Sequence, residues 1–244
     1  LHGLRRTAFE PDTEEAHERL LKLIWSSLVP SDEPYVRRGR RWKDLGFQGE
    51  DPATDVRGGG LLAVQCLAHF ASLQVRARAC HCQRLPRAAP PTRSRRPIRP
   101  SQTRGLLSML SELENQSCRS PGSADSMRYY PISTTAIVLC SRLCDAIGIS
   151  NGMRGALPEA ALEKTLASPP PPLARLLVGA SGGGGRRGGF PGVFSLAYAD
   201  FHASFVATQA TYMESQRLLG EVVTRLEGRA AKCRQLPALH AAYV

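Results

Sequence analysis

A chain of 244 residues, 42% of them apolar, is long enough for one domain of ordinary size and is neither a peptide nor a wholly disordered protein. Its 22 glycines and 18 prolines are clustered, so disorder is expected to be local. The net charge of +11 suggests nucleic acid only until it is located: nine arginines (76, 78, 84, 87, 93, 95, 96, 99 and 104) fall in a stretch without Asp or Glu, and removing those nine from 32 leaves 23 basic residues against 21 acidic.

In chain order, the first periodic segment is Asp12 to Val29. Ala16, Leu20, Leu23, Ile24 and Leu28 recur at helical spacing, Asp12 or Thr13 can cap the start, Glu14 and Glu15 suit the positive end of the dipole, and Pro30 stops the run. Trp42 to Gly60 has no sustained period and reads as a structured loop or broken turn. Leu61 to about Ala79 is apolar on most sides, as expected of a central helix. The uncharged run from Gly58 to Val75 contains Gln65, His69 and Gln74, which fits a buried helix better than a membrane span.

From Gln83 to about Ser126 the composition shifts to Pro, Arg and Ser, which reads as a disordered insertion, with a translated intron as the alternative. Pro131 opens a run from Ile132 to Ile149 in which Ile137, Leu139, Cys140, Leu143, Cys144 and Ile147 suit a buried helix. Residues 168–192, with Pro169 to Pro172 and Gly182 to Gly185, are expected to be a second long loop. Phe190, Phe194, Tyr198, Phe201 and Phe205 then mark one stripe of a core-facing helix, and Ala207 to about Lys232 continues as a more polar one. Every element is helical, so the fold class is all-α. The domain is expected over 12–206, interrupted by the insertion at 83–126 and a Pro/Gly-rich loop at 168–189, with a C-terminal helix and tail over 207–244.

Most candidate chemistry has a plainer reading. Gly183, Gly185 and Gly188 match a dinucleotide fingerprint by letter, but no βαβ unit surrounds them. Cys80, His81 and Cys82 with Cys118 lack the spacing of a structural zinc site, and no metal is expected. Cys140 and Cys144, one turn apart on an apolar face, read as core residues, and His17 as a surface or packing residue. Seven cysteines without a disulfide framework, and no signal segment ahead of them, suit a reducing compartment. A chain beginning at Leu1 is expected to be a fragment.

The stretch from Trp42 to Leu62 differs in kind. Trp42 and Phe47 read as anchors, Gly46, Gly58 and Gly60 as sites of tight turning or close approach, and Thr54 and Asp55 as turn or cap residues. Arg57, glycine-flanked and just before a buried helix, is well placed for an oxyanion, because its planar fork and the helix dipole both favour negative charge. The alternative is that Arg57 pairs with Asp55 or Asp51 and only pins the loop.

The string from Trp42 to Leu62, WKDLGFQGEDPATDVRGGGLL, closely resembles the signature of the ELMO domain, in the subclass of ELMO domain-containing (ELMOD) proteins. Ala16 to Trp25 is similar to that family's H-E-x-x-L-x-x-L-W helix, Tyr130-Pro131 with the apolar run behind it to its Y-P-F helix, and Phe190 to Phe205, more weakly, to its closing aromatic helix. Val56 stands where the family carries an aromatic, and Ile132 to Cys140 lacks its Phe and internal Asn.

The resemblance implies an ELMO-type helical domain that acts as a GTPase-activating protein for an Arf or Arl small GTPase. ELMOD proteins are regarded as supplying the arginine of a T-D-F-R-G motif as a catalytic finger, a position held here by Arg57; the related ELMO scaffolds lack it. On that reading Gln48, Thr54 and Asp55 hold the loop by hydrogen bonds, Trp42 and Phe47 anchor it, Pro52 belongs to the same motif, and Gly58 and Gly60 let the partner approach. The chain would need no cofactor of its own, since GTP and Mg²⁺ sit on the partner, and would act in the cytoplasm, with peripheral contact at organelle membranes open to it. A non-catalytic scaffold in GTPase or cytoskeletal signalling is the alternative. Anionic membrane or nucleic acid bound non-specifically through the arginine segment is a third reading; specific nucleic-acid binding is not expected.

Overall fold

A computed structural model describes residues 1–29, 32–82, 130–149, 169–180 and 189–241. All regular structure among them is helical: α1 (His2–Arg6), α2 (Glu15–Leu28), α3 (Arg41–Asp44), α4 (Pro52–Asp55), a 3₁₀ turn (Val56–Gly58), α5 (Gly60–Cys82), α6 (Ile132–Ala146), α7 (Pro172–Ala180), α8 (Phe190–Ala207), a 3₁₀ turn (Tyr212–Glu214), α9 (Ser215–Lys232) and α10 (Leu236–Ala241). The all-α expectation holds.

The central helix is α5. From Leu61 to Ala71 almost every side chain is buried, because α1, α2, α6 and α8 pack around it. Each large apolar side chain removed from water in this way contributes about 1.5–3 kcal/mol. On α8 the five aromatics that mark the stripe are all buried; Phe70 of α5 meets Tyr198 with ring centroids 4.8 Å apart, and Tyr130 stands edge-on to Phe201 and Phe205, each at 4.9 Å. The phenols of these two tyrosines have partners: Tyr130 Oη lies 2.7 Å from His202 Nδ1, and Tyr198 Oη donates to the Ile132 carbonyl at 3.3 Å.

Several boundaries differ from those expected. On α2 the inward stripe is His17, Leu21, Ile24 and Trp25, with Ala16 and Leu23 exposed, because the large rings of His17 and Trp25 set the rotation of the helix. Neither Asp12 nor Thr13 caps α2; Glu14 is its N-cap, without a side-chain hydrogen bond, and Asp12 instead pairs with Arg37 and Arg38. Residues 168–189 are not all loop, since α7 forms within them, started by Pro172 and held by the buried Leu173 and Leu176. No single helix runs through 207–232 either. The chain leaves α8 at Thr208, takes φ +50° at Gln209, and restarts through a capping box in which Thr211 and Glu214 satisfy each other's backbone N–H groups.

The helices on either side of 12–206 pack on the same core. On α9, Leu218, Leu219, Val222 and Leu226 enter the common core, so the C-terminal helix is part of the domain. On α1, the buried Arg5 guanidinium donates to the Ile149 carbonyl at 2.5 Å and to Ser141 Oγ at 2.8 Å, while the Leu61 N–H donates to the Thr7 carbonyl at 3.0 Å. At that junction Gly60 has φ +58° and its Cα faces the Arg5 carbonyl so closely that no Cβ fits. The insertion expected at 83–126 lies outside the described residues.

Candidate functional site

The segment 35–60 is a chain of short turns between α2 and α5, and its residue chemistry explains each one. The Trp42 ring is fully buried, edge-on to Trp25 at 5.2 Å and to Phe47 at 5.1 Å, and its indole N–H donates to the Val36 carbonyl at 2.9 Å. Helix α3 ends where Gly46 takes φ +89°, a left-handed conformation that favours glycine; a Cβ there would lie 3.0 Å from Ile132 Cγ1, so α6 also needs the side chain to be absent.

Asp51 is the N-cap of α4. Its Oδ1 accepts from the Ala53 N–H at 2.9 Å, and the buried Pro52 follows in the first turn, where its missing N–H costs nothing. Arg37 Nη1 and Arg38 Nε also donate to Asp51, at 2.7 and 2.9 Å. Burial alone would raise the Asp51 carboxyl, but the hydrogen bonds from Arg37, Arg38 and Ala53 hold it down at about 2, from an ordinary value of 3.8. A depressed carboxyl contributes stability that is complete above its unfolded value and disappears as the pH falls through its folded value. Asp51→Asn is therefore expected to cost roughly 1–3 kcal/mol at neutral pH, with its deficit in melting temperature shrinking as the pH is lowered from about 4 to about 2. Thermal melts of both proteins across that range check this; a deficit independent of pH would mean that the charge of Asp51 is not what holds the turn.

Thr54 Oγ1 donates to the Asp51 carbonyl at 2.8 Å. Asp55 Oδ2 accepts from the Gln48 N–H at 2.6 Å and from Ser133 Oγ at 2.8 Å, and Gln48 Nε2 donates to Thr134 Oγ1 at 2.7 Å. Val56 is buried, and the 3₁₀ turn closes with the Gly59 N–H on the Val56 carbonyl at 3.1 Å. The Arg57 backbone occupies the middle of this turn, three residues before the start of α5; its side chain lies outside the described residues. Gly58 is exposed beside it. Gly60, expected to admit a partner, is instead buried against the carbonyl of Arg5 and serves an internal close approach.

The structure thus ties Gln48 and Asp55 to the start of α6, and Thr54 to Asp51, in the segment that leads into the turn carrying Arg57. Trp42, Phe47 and Pro52 are buried and Gly46 lies against α6 earlier in that segment, and Gly58 is in the turn itself. Sequence reasoning missed Arg37, Arg38 and the capping role of Asp51, although Asp before Pro is a helix-start signal, and it did not connect Ser133, Thr134 and Ile137 to the site, since they lie on another helix and carry no local signal for it.

Elsewhere, the plainer readings describe what is seen. His17 is a packing residue, stacked on Phe9 at 5.4 Å with its Nδ1 accepting from the Glu10 N–H. Cys66, Cys140 and Cys144 are buried, and the hydrogen bond that the Cys144 thiol donates to Cys140, together with burial, pushes the Cys144 thiol up, away from thiolate chemistry. Among the described residues no group of His, Cys, Asp or Glu could hold a metal ion, and no helix is long and apolar enough to cross a membrane. Cys118, the glycine run at 183–188 and all of the arginine stretch beyond residue 82 lie outside the described residues, as do the side chains of 74–82.

The model of the ELMO/CED-12 family matches residues 1–219. Among curated proteins, the chain is 46% identical over 68 residues to human ELMO domain-containing protein 1, covering 28% of this chain and 20% of that protein. It is 37% identical over 70 residues to ELMO domain-containing protein 2 of Bos taurus, covering 29% and 24%, and 43% identical over 56 residues to ELMO domain-containing protein B of Dictyostelium discoideum, covering 23% and 20%. The matched stretches span only about a fifth to a quarter of the length of these relatives. No solved structure matches the chain significantly.

Proposed function

Because this chain belongs to the ELMO/CED-12 family, we propose that it is a GTPase-activating protein for an Arf or Arl small GTPase, supplying Arg57 in trans. The observation that supports this reading most is the mounting of Arg57. It sits in the middle of a turn pinned by the capped α4 on one side, by the buried start of α5 on the other, and by α6 from across the fold, next to an exposed glycine. An arginine with no task beyond solubility needs no such mounting.

On this reading the partner carries the nucleotide and Mg²⁺, and the chain adds two things. The Arg57 guanidinium places a planar, permanent positive charge where negative charge develops on the γ-phosphate, and the docked surface excludes water, so that this charge is felt at a low dielectric. An arginine finger of this kind is worth about 10³ to 10⁵ in rate, or roughly 4 to 7 kcal/mol of barrier. The finger is preorganised to the extent that its turn is rigid, and the hydrogen bonds on Asp51 and Asp55 provide that rigidity.

The test is single-turnover GTP hydrolysis by a panel of GTP-loaded Arf and Arl proteins with and without the wild-type chain. Acceleration of at least one member is expected. Binding to a member with no acceleration of any would replace the activator by a non-catalytic scaffold.

A further inference from the structure

The turn that carries Arg57 has little to hold it by itself. It is three residues long, closed by one backbone hydrogen bond from Gly59 to Val56, and followed by two glycines whose backbones accept many directions. Besides the capped α4 and the start of α5, what fixes it comes from α6, more than seventy residues away in sequence. Ser133, fully buried in the first turn of α6, donates to Asp55 Oδ2, and Asp55 stands two residues before Arg57. The same carboxylate oxygen takes the Gln48 N–H, whose own side chain reaches Thr134, so α6 grips both ends of the 48–55 segment. One turn further on, Ile137 lies over the glycines that follow Arg57: its Cγ2 is 3.8 Å from where a Gly58 Cβ would stand, and its Cγ1 is 3.3 Å from the equivalent point at Gly59. The Asp55 carboxylate also sits at the first turn of a 15-residue helix, where the helix dipole favours negative charge.

We infer that Ser133 and Ile137 are positioning residues for Arg57, with the first two turns of α6 clasping the 3₁₀ turn and setting the orientation of the backbone that carries the arginine. This rests on the activator reading above, and it deepens that reading by giving the site a second half that no local motif marks. Neither residue touches the nucleotide. They act through Asp55 and the Gly58–Gly59 backbone, so their removal leaves docking intact and spoils the alignment of the finger. Misplacement of a catalytic group by about 1 Å can cost as much as 10²-fold in rate.

Two readouts on Ser133→Ala and Ile137→Ala, both in the full chain, decide it. The first is amide exchange at Gly59, with α8 amides as the internal control. It is expected to accelerate roughly tenfold or more in both variants while α8 is unchanged, as for a local opening. The second is single-turnover GTP hydrolysis as a function of activator concentration. The maximal stimulated rate is expected to fall on the order of tenfold or more while the half-saturating concentration stays within about twofold of wild type. Unchanged exchange at Gly59 in both variants would overturn the clasp. Faster exchange with an undiminished maximal rate would overturn its role in positioning, as would a shift confined to the half-saturating concentration. A wild-type chain that accelerates no GTPase defeats the activator reading and the positioning role with it, and the exchange result then decides only whether α6 holds the turn.

Discussion

Trp42→Ala is expected to destabilise the domain by about 3–5 kcal/mol, the range for removal of a fully buried large ring. The indole has no exposed surface, contacts both Trp25 and Phe47 edge-on, and spends its single N–H on the Val36 carbonyl. The substitution therefore leaves a cavity, unpairs a carbonyl and releases the anchor between α2 and the turns that follow. Domains of this size are commonly stable by only about 5–15 kcal/mol, so the variant should melt many degrees lower or fail to accumulate as folded protein. Trp42→Phe should recover part of the loss, because a ring remains even though the Val36 carbonyl stays without its donor. Thermal denaturation of the three proteins checks the order. Near-wild-type melting of Trp42→Ala would show that the ring does not anchor the segment.

The helices legible in the sequence are those whose burial leaves a periodic trace. The aromatic stripe of α8 and the nearly all-round apolar character of α5 arise because each packs against several neighbours, and composition alone records that. On α2 the period was visible but its rotation was not: a stripe drawn through Ala16 and Leu23 differs by about one position from the true one, and His17, which fills the inward position, reads as polar until Phe9 is seen stacked on it. Helix α7 was hidden by the prolines before it and the glycines after it, although Pro172 is what starts it and the buried Leu173 and Leu176 seat it on the core. The break after α8 did carry a signal, the Thr211–Glu214 capping box, which competes with the helical period on either side. At the site, the motif spacing showed which residues share a segment. It could not show that Ser133 and Ile137 of α6 complete that segment, since contacts between residues so far apart leave no local pattern.

Arg57→Ala and Arg57→Lys are both expected to abolish stimulated GTP hydrolysis. Lysine keeps the charge but presents a single point of different reach in place of a planar fork with several donors. Both variants should melt close to wild type, since Asp51, Asp55, Val56 and α6 already hold the turn. They should also still bind the GTP-loaded partner, because a finger adds mainly to transition-state affinity. A fall of many degrees in the melting temperature of Arg57→Ala would identify the arginine as a structural pin instead.

The most direct measurement is the single-turnover rate of GTP hydrolysis by the Arf-family GTPase that responds best, at saturating activator, with wild type and with Arg57→Ala. A finger supplied in trans predicts that the alanine variant loses on the order of 10³-fold or more of the stimulated rate, back to the intrinsic rate of the GTPase, while remaining bound. An Arg57→Ala protein that stimulates hydrolysis as well as wild type would contradict it.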